Sequence, residues 1–285
     1  MNEHLNDFFA RHQRLFVLTG AGISTASGIP DYRDASGDWK HQKPMDYRDF
    51  VASHAARQRY WARSYVGWQR FNRAAPNEAH GAIARLERMG RLAGTVTQNV
   101  DGLHQRAGSQ QVTELHGSLA KVICLDCGFS VERSSMQRFL LERNPGLETL
   151  SGSVAPDGDA RLQAFDESEL EVPGCELCAG VMKPDVVFFG EAVPAERVQH
   201  CRDLLSISDA MLVVGSSLMV FSGFRFVREA FQQGLPVVAI NRGRTRADEL
   251  LTQKFDLDCS QALMQAVRHV APRLDQRLPG LGHSA

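Results

Sequence analysis

The apolar run Leu15–Leu18 opens directly into Thr19-Gly20-Ala21-Gly22-Ile23-Ser24, and this succession of buried-strand pattern and polar turn recurs along the chain. Runs at Thr95–Thr97, Met211–Val214 and Val237–Ile240 lead into TQNVDGLH from Thr97, GSSL from Gly215 and INRG ending at Gly243. A further run, Val186–Phe189, reads as a core strand flanked by the charges of Lys183 and Glu191. Short unbroken apolar runs are what strands covered on both faces look like. Helical spacing falls between them: Ile83, Leu86 and Met89 share one face of His80–Gly90, and Val198, Cys201, Leu204 and Leu205 one face of Ala195–Ser208. The fold class expected is therefore α/β, a parallel sheet with helices on both faces. In such sheets ligands collect at the carboxyl ends of the strands, so the four polar segments should share one crevice.

Two stretches break the alternation. Residues 41–76 are aromatic, basic and helical in pattern, and 121–180 carry two cysteine pairs around a Gly-, Pro- and Asp-rich middle. They are expected to form a smaller helical and zinc-binding lobe, leaving 1–40, 77–120 and 181–285 to the Rossmann-like lobe of a single domain.

A length of 285 residues with 43% hydrophobic content supports a sizeable core, and a formal net charge of -1 provides no bulk attraction to nucleic acid or an anionic membrane. The N-terminal segment lacks the apolar block of a secretory signal, and no stretch reaches membrane-spanning length. The expectations are a cytoplasmic protein with no nucleic-acid or membrane partner; the sequence fixes no oligomeric state.

The GAGIS turn suits close backbone approach to a pyrophosphate, although it also suits a tight structural turn. Thr25 stands where a strict GxGxxG has its third glycine, and no acidic residue marks the end of a second strand. Both departures argue against an ordinary dehydrogenase. Gly28 and Pro30 break the nascent helix almost at once, with Asp31 and Arg33 just beyond. Cys124, Cys127, Cys175 and Cys178 form two CxxC knuckles, the thiolate set of a closed structural zinc site, which holds a lobe together and performs no chemistry. His116 lies where the sheet would meet the inserted lobe, and imidazole is the side chain suited to taking a proton near neutral pH. Asn99 and Asp101 read either as a polar strand end or as ligand contacts. A free edge on KPDVVFFGE would accept an extended peptide by strand addition.

Taken together and in this order, GAGISTASGIPDYR, TQNVDGLH, LHG, both CxxC pairs, KPDVVFFGE, GSSL and INRG resemble the sirtuins, NAD-dependent protein-lysine deacylases. RYWARSYVGW, CLDCG and APDGD look most like their class II branch. The resemblance spans nearly the whole chain. It implies that the broken helix is a cofactor-binding loop folded over the nicotinamide ribose. It also implies an NAD site made of Gly20, Ala21, Gly22, Ile23, Thr25, Asp31, Tyr32, Arg33, Gln98, Asn99, Asp101, His116, Gly215, Ser216, Ser217, Asn241, Arg242, Gly243 and Cys259. The acyl-lysine substrate would lie as an added strand between Val187, Phe188, Phe189, Gly190 and Glu191 on one side and Ser217 and Leu218 on the other.

The implied chemistry needs no protein nucleophile. The acyl oxygen attacks the ribose as nicotinamide leaves, His116 then acts as general base toward a ribose hydroxyl, and Asn99 orients ribose and water. Products are nicotinamide, free lysine and O-acyl-ADP-ribose. Deacetylation is the expected activity, with longer acyl or lipoyl groups also accommodated; mono-ADP-ribosylation of protein at the same NAD site is the alternative. Two departures bear on specificity. Tyr60 and Arg63 match the spacing of a desuccinylating pair, but aligning on Trp61 puts Ser64 and Gly67 there instead, so the pair is not carried over. Ser222 stands where many sirtuins have proline.

Overall fold

The computed structural model describes residues 3–40, 44–154, 160–162 and 165–275. The APDGD segment, 155–159, lies outside them. In chain order, α1 (Glu3–Arg11), β1 (Leu15–Thr19), α2 (Tyr47–Ala52), α3 (His54–Arg73), α4 (Glu78–Arg88), β2 (Leu92–Thr97), α5 (Leu103–Arg106) and β3 (Val112–Glu114) lead to β4 (Gly117–Cys124). Then follow β5 (Ser130–Glu132), α6 (Arg133–Arg143), the hairpin of β6 (Gly152–Val154) and β7 (Ala160–Leu162), and β8 (Met182–Val186). The chain closes with α7 (Ala195–Ser206), β9 (Ala210–Val214), α8 (Phe221–Gln232), β10 (Val237–Ile240), β11 (Gln253–Phe255) and α9 (Cys259–Asp275). No helix among the described residues is long and apolar enough to cross a membrane.

Six strands form a parallel sheet in the order β11-β10-β9-β1-β2-β3. Alternate residues of each strand point to opposite faces, so Leu15 and Val17 join α1, α4 and α9 in one core while Phe16 and Leu18 join α7 and α8 in the other. This is the helix-covered sheet expected from the apolar runs. Strand order reverses between β1 and β9, which places a crevice at the carboxyl ends of those two strands.

Helix α4 shows why the chain folds locally as it does. Asn77 accepts from the amide of Ala79 at 2.9 Å, and the Asn77 amide donates to His80 Nδ1 at 3.3 Å, closing a capping box. Gly90, at φ 67°, then turns the chain into β2.

A third core joins the two inserted stretches. Phe50, Tyr60, Trp61 and Tyr65 from α2 and α3 pack with Val122 and Cys124 of β4, Met136 and Leu140 of α6, and Phe188. Arg133, 1% exposed, lies within 5.3 Å of both the Trp61 and Trp68 rings and donates to the carbonyl and hydroxyl of Ser64 at 3.1 and 3.2 Å. Burial pulls its guanidinium down to about 10, still charged at neutral pH.

One expected strand is corrected. Strand β8 ends at Val186 and pairs antiparallel with β4 in a separate three-stranded sheet, so Val186–Phe189 is not a core strand of the main sheet. The reason lies in the flanking charges. Buried Lys183 needs an anion, and Glu191 Oε2 supplies one at 3.2 Å while accepting from the Phe188 amide at 2.8 Å. The chain must turn back on itself to bring them together, which ends the strand.

Where β1 and β9 end, Gly215 sits at φ 60°, and a Cβ there would fall 2.3 Å from the Ile23 nitrogen. Gly28, at φ 82°, has nothing within 4 Å of such a Cβ. Gly215→Ala should therefore cost at least ~3 kcal/mol of unfolding free energy by urea titration, against ~1 kcal/mol for Gly28→Ala, where only the backbone conformation objects. Equal costs at the two sites would refute the close approach.

Candidate active site

Beyond β1 the chain makes two single 3-10 turns, Ala21–Ile23 and Thr25–Ser27, ended by Gly28. This is the interrupted helix read from the sequence. The Gly20 amide donates to the Val214 carbonyl at 3.1 Å and the Gly22 amide to the Gly215 carbonyl at 2.8 Å, so the turns after β1 and β9 are bonded to each other. With glycines at the contact, their backbones form the floor of a cleft of ≈ 580 Å³.

After β2, Gln98 donates to Ser216 Oγ at 2.7 Å, and Asn99 Nδ2 to the Gly20 carbonyl and Ser24 Oγ at 3.1 and 3.0 Å. The Ser24 hydroxyl in turn donates to Asp101 Oδ2 at 2.7 Å. Burial holds Asp101 above its ordinary carboxylate range, and the bonds from Leu103 and Ser24 oppose that rise. Beneath lie two further buried rings: His104 bonds Thr19 Oγ1 at 2.9 Å, and the His80 ring sits 4.9 Å from it.

His116 is held at both nitrogens. Nδ1 is 2.9 Å from the Gln98 carbonyl, which can only accept, so Nδ1 carries the proton. Nε2 therefore presents a lone pair, and the Ser222 hydroxyl donates to it at 2.7 Å. Burial lowers the ring to about 4, partly offset by the Gln98 bond, with Arg197 the charged side chain whose field adds to the lowering. At neutral pH His116 is an uncharged imidazole in the tautomer suited to accepting a proton at Nε2.

The segment from Ile29 to Lys40 roofs the cleft. Arg33 stacks 3.6 Å over Trp39 and donates to the Gly37 carbonyl at 3.1 Å, and Trp39 meets Phe189 edge-on at 5.6 Å. On the other wall, the Val187 amide donates to the His116 carbonyl at 2.8 Å, tying the expected peptide-side segment to the ring's own backbone.

Of the expected site residues, Gly20, Ala21, Gly22, Asp31, Tyr32, Arg33, Gln98, Asn99, Asp101, His116, Gly215, Ser216, Ser217, Asn241 and Arg242 line this one cleft, together with Val187–Glu191 and Leu218. Four others lie off it. Ile23 is 1% exposed in the core; Thr25 bonds the Gly22 carbonyl; Gly243 abuts Ala35; Cys259 Sγ points to the Ile240 carbonyl at 3.8 Å. The sequence reading did not name Ile29, Trp39, Met45, Phe71 or Arg225 as lining residues. Ser222 drew notice only as a departure. Tyr60 lines the cleft but Arg63 does not, its guanidinium being bonded to Glu167 at 2.6 Å, in keeping with leaving that pair aside.

The four paired cysteines converge. Their sulfurs all lie within 4.8 Å of one another, with Cys124–Cys178 at 3.5 Å and Cys127–Cys175 at 3.7 Å. Tetrahedral Zn–S bonds of about 2.3 Å require edges of about 3.8 Å, so the set fits one zinc with no open position.

A family model described as the Sir2 family matches residues 20–222. The chain is 56% identical over 262 residues, 92% of it and 96% of the relative, to a protein of Bradyrhizobium diazoefficiens named NAD-dependent protein deacetylase 2. It is 55% identical over 270 residues, 95% and 92% of the two chains, to the NAD-dependent protein deacetylase of Xanthomonas axonopodis pv. citri. Among solved structures, a Sir2 protein with p53 peptide and NAD+ superposes with a TM-score of 0.75 at 29% identity, covering 95% of this chain and 99% of that one. Another, Sir2 bound to acetylated peptide, gives 0.73 at 27% identity and covers 95% and 98%.

Burial holds His80, His104 and His116 neutral, at about 4, 3 and 4, whereas an unfolded chain takes up their protons near pH 6.5. Stability should therefore be insensitive to these rings above pH 7 and fall as pH drops from 6.5 toward 5, by up to ~1.4 kcal/mol per pH unit for each ring. Asp101 and Glu114, raised by burial, pull the other way, so the ring term is read by difference. A His104→Asn variant should show a shallower acid-side decline in melting temperature than the parent; parallel declines would mean that the ring is protonated in the folded protein.

Cys124 and Cys175 share a core with Trp61, so zinc removal should be felt there. Metal analysis should find one zinc per chain, and chelation should red-shift tryptophan emission and lower the melting temperature. Unchanged emission and melting in verified metal-free protein would exclude a structural role.

Proposed function

The chain belongs to the Sir2 family, and we propose that it is an NAD-dependent protein deacetylase in which His116 is the general base, Asn99 orients the ribose, and Val187–Glu191 with Leu218 flank the acyl-lysine. The observation that carries the residue assignment is the state of His116. Its proton sits on Nδ1, its Nε2 lone pair accepts from Ser222, another residue of the cleft lining, and it stays uncharged at neutral pH.

The residues present suit NAD. Turns built on Gly20, Gly22 and Gly215 expose backbone to a phosphate-bearing ligand, and Ser216, Ser217 and Asn241 add neutral polar groups beside them. The same cleft holds Asn99, Asp101 and His116, the kind of polar set that grips ribose hydroxyls. When bound, NAD supplies an electrophilic ribose carbon with nicotinamide as leaving group.

Everything else falls to the chain. Asn99, fixed by Gly20 and Ser24, keeps its amide in place without rearrangement. His116 accepts a ribose hydroxyl proton at Nε2, and Ser222 gives up its bond to that lone pair as the hydroxyl arrives. The imidazolium so formed keeps its Nδ1 bond to the Gln98 carbonyl, which steadies the charge. The roof of Tyr32, Arg33 and Trp39 excludes bulk water, and the apolar wall of Ile29, Met45 and Phe71 suits an acyl chain.

Incubation of an acetyl-lysine peptide with NAD should release nicotinamide and O-acetyl-ADP-ribose, detected by mass spectrometry. His116→Ala should lower turnover by at least ~100-fold while the circular dichroism and melting stay those of a folded protein. Undiminished turnover in that variant would remove His116 from the chemistry. ADP-ribose attached to protein with no loss of acyl group would replace the deacetylase reading by the transferase one. A panel of one peptide with acetyl, longer acyl and lipoyl lysines sets the chain-length preference.

A further inference from the structure

Helix α8 begins at the mouth of the cleft, where Val220 and Phe221 are 38% and 42% exposed. Three guanidiniums gather on the Phe221 ring: Arg225 at 5.2 Å, Arg228 at 5.3 Å and Arg246 at 5.8 Å from its centroid. Arg246 also lies 4.6 Å over Phe224 and donates to the Met219 carbonyl at 3.2 Å. Side chains on a helix lean toward its N-terminus, so Arg225 and Arg228 reach back over Phe221 and not along the helix.

Among the described residues, none of the three guanidiniums has a carboxylate within ion-pair distance. The acids nearby are engaged elsewhere: Glu229 with Arg202 at 2.9 Å, and Asp248 with Lys254 at 3.0 Å. Arg225 Nε is buried with no partner. In a chain of net charge -1, three unpaired cations around one exposed aromatic are a local concentration and not a reflection of composition. Cation–π contact offsets their mutual repulsion only in part, since each exposed contact contributes roughly 0.5–1 kcal/mol. An arriving anion would relieve it. Val220, Phe221 and Arg225 line the cleft itself, so the patch continues the wall that begins at Leu218.

We propose that Phe221 with Arg225, Arg228 and Arg246 forms a receptor for acidic residues flanking the acyl-lysine, making acyl-lysine within an acidic segment the substrate class of this protein. The inference rests on the deacetylase reading. Guanidiniums pair bidentately with carboxylates, and the aromatic ring holds them splayed at the entrance. A peptide whose acyl-lysine is in the cleft must pass its neighbouring residues over this ground. Phosphates of a nucleic acid would meet the same cations, but the overall charge offers no long-range attraction to a polyanion, and only a peptide threads the cleft beside the patch.

The test compares acetyl-lysine peptides that differ only in Glu, Gln or Lys at the flanking positions, on the N-terminal side, the C-terminal side or both. At low salt the Glu peptides should have kcat/KM about fivefold to tenfold above the Gln peptides, mainly through KM, and the advantage should shrink as salt is raised. In Arg228→Glu, and more fully in Arg228→Glu/Arg246→Glu, the advantage should vanish while kcat/KM for the Gln peptide stays within about twofold. The single variant serves if the double one does not fold. Equal kcat/KM for Glu and Gln peptides in the parent, a preference for Lys, or a Glu advantage unchanged in the variants would overturn the proposal. Turnover of the Gln peptide in those cases would leave the deacetylase reading standing. If no peptide were turned over, that reading would fail on its own, and anisotropy of labelled Glu and Gln peptides would still decide the patch: equal affinities overturn it. Tighter binding of a single-stranded oligonucleotide than of any Glu peptide would also overturn it.

Discussion

The contact on which the rest of the site depends is the bonding of the turn after β1 to the turn after β9. Gly20 and Gly22 donate to Val214 and Gly215, and neither turn leaves room for a side chain at the crossing. Because β1 and β9 are the parallel strands between which the strand order reverses, this crossing sits where the two following loops diverge and leave a crevice. The polar residues after β2 are tied to it directly, and His116 through them. Asn99 bonds the Gly20 carbonyl, Gln98 bonds Ser216, and the Gln98 carbonyl fixes His116. The position of the His116 ring is thereby tied to these turns through Gln98.

Below the cleft the protein keeps an uncharged polar layer where an apolar core would be cheaper to build. Thr19, Thr97, Ser24, His80 and His104 are all buried, and their hydrogen bonds run in consistent directions. Thr19 donates to Thr97, so it accepts from His104 Nε2; Ser24 donates to Asp101, so it accepts from Asn99. Such a network adds little net stability per bond, but it leaves each donor only one acceptable orientation. Asn99 and Asp101 are thereby presented in one geometry, at the cost of an acid-sensitive interior.

The inserted stretches are joined by their own core, with Arg133 between two tryptophans and the four-cysteine set at its edge. A closed metal site suits a region whose strands are short: three residues in β5, three in β6 and three in β7. Three-residue pairings bury too little apolar surface to order a long insertion, and a zinc held by the four cysteines would supply the missing constraint.

The sequence by itself determined the helix-covered parallel sheet, because strands buried on both faces must be written as apolar runs, and it determined the cysteine set, because thiolate spacing is local chemistry. Asn99 and Asp101 were read from their place after a strand and His116 from the seam between sheet and inserted stretch, and all three line one cleft; their roles rest on the family resemblance. The edge strands β3 and β11 escaped notice because three residues are too few to carry a periodic signal. Strand β8 was misplaced because the pairing of Lys183 with Glu191, eight residues apart, overrode an apolar run that local pattern favours. What only the tertiary structure decided is which lone pair His116 presents and what surrounds it. The Gln98 carbonyl, the Ser222 hydroxyl and the unpaired arginines beside Phe221 meet through the packing of β2, β4 and α8, and no spacing along the chain encodes a contact between residues 18 and 106 positions apart.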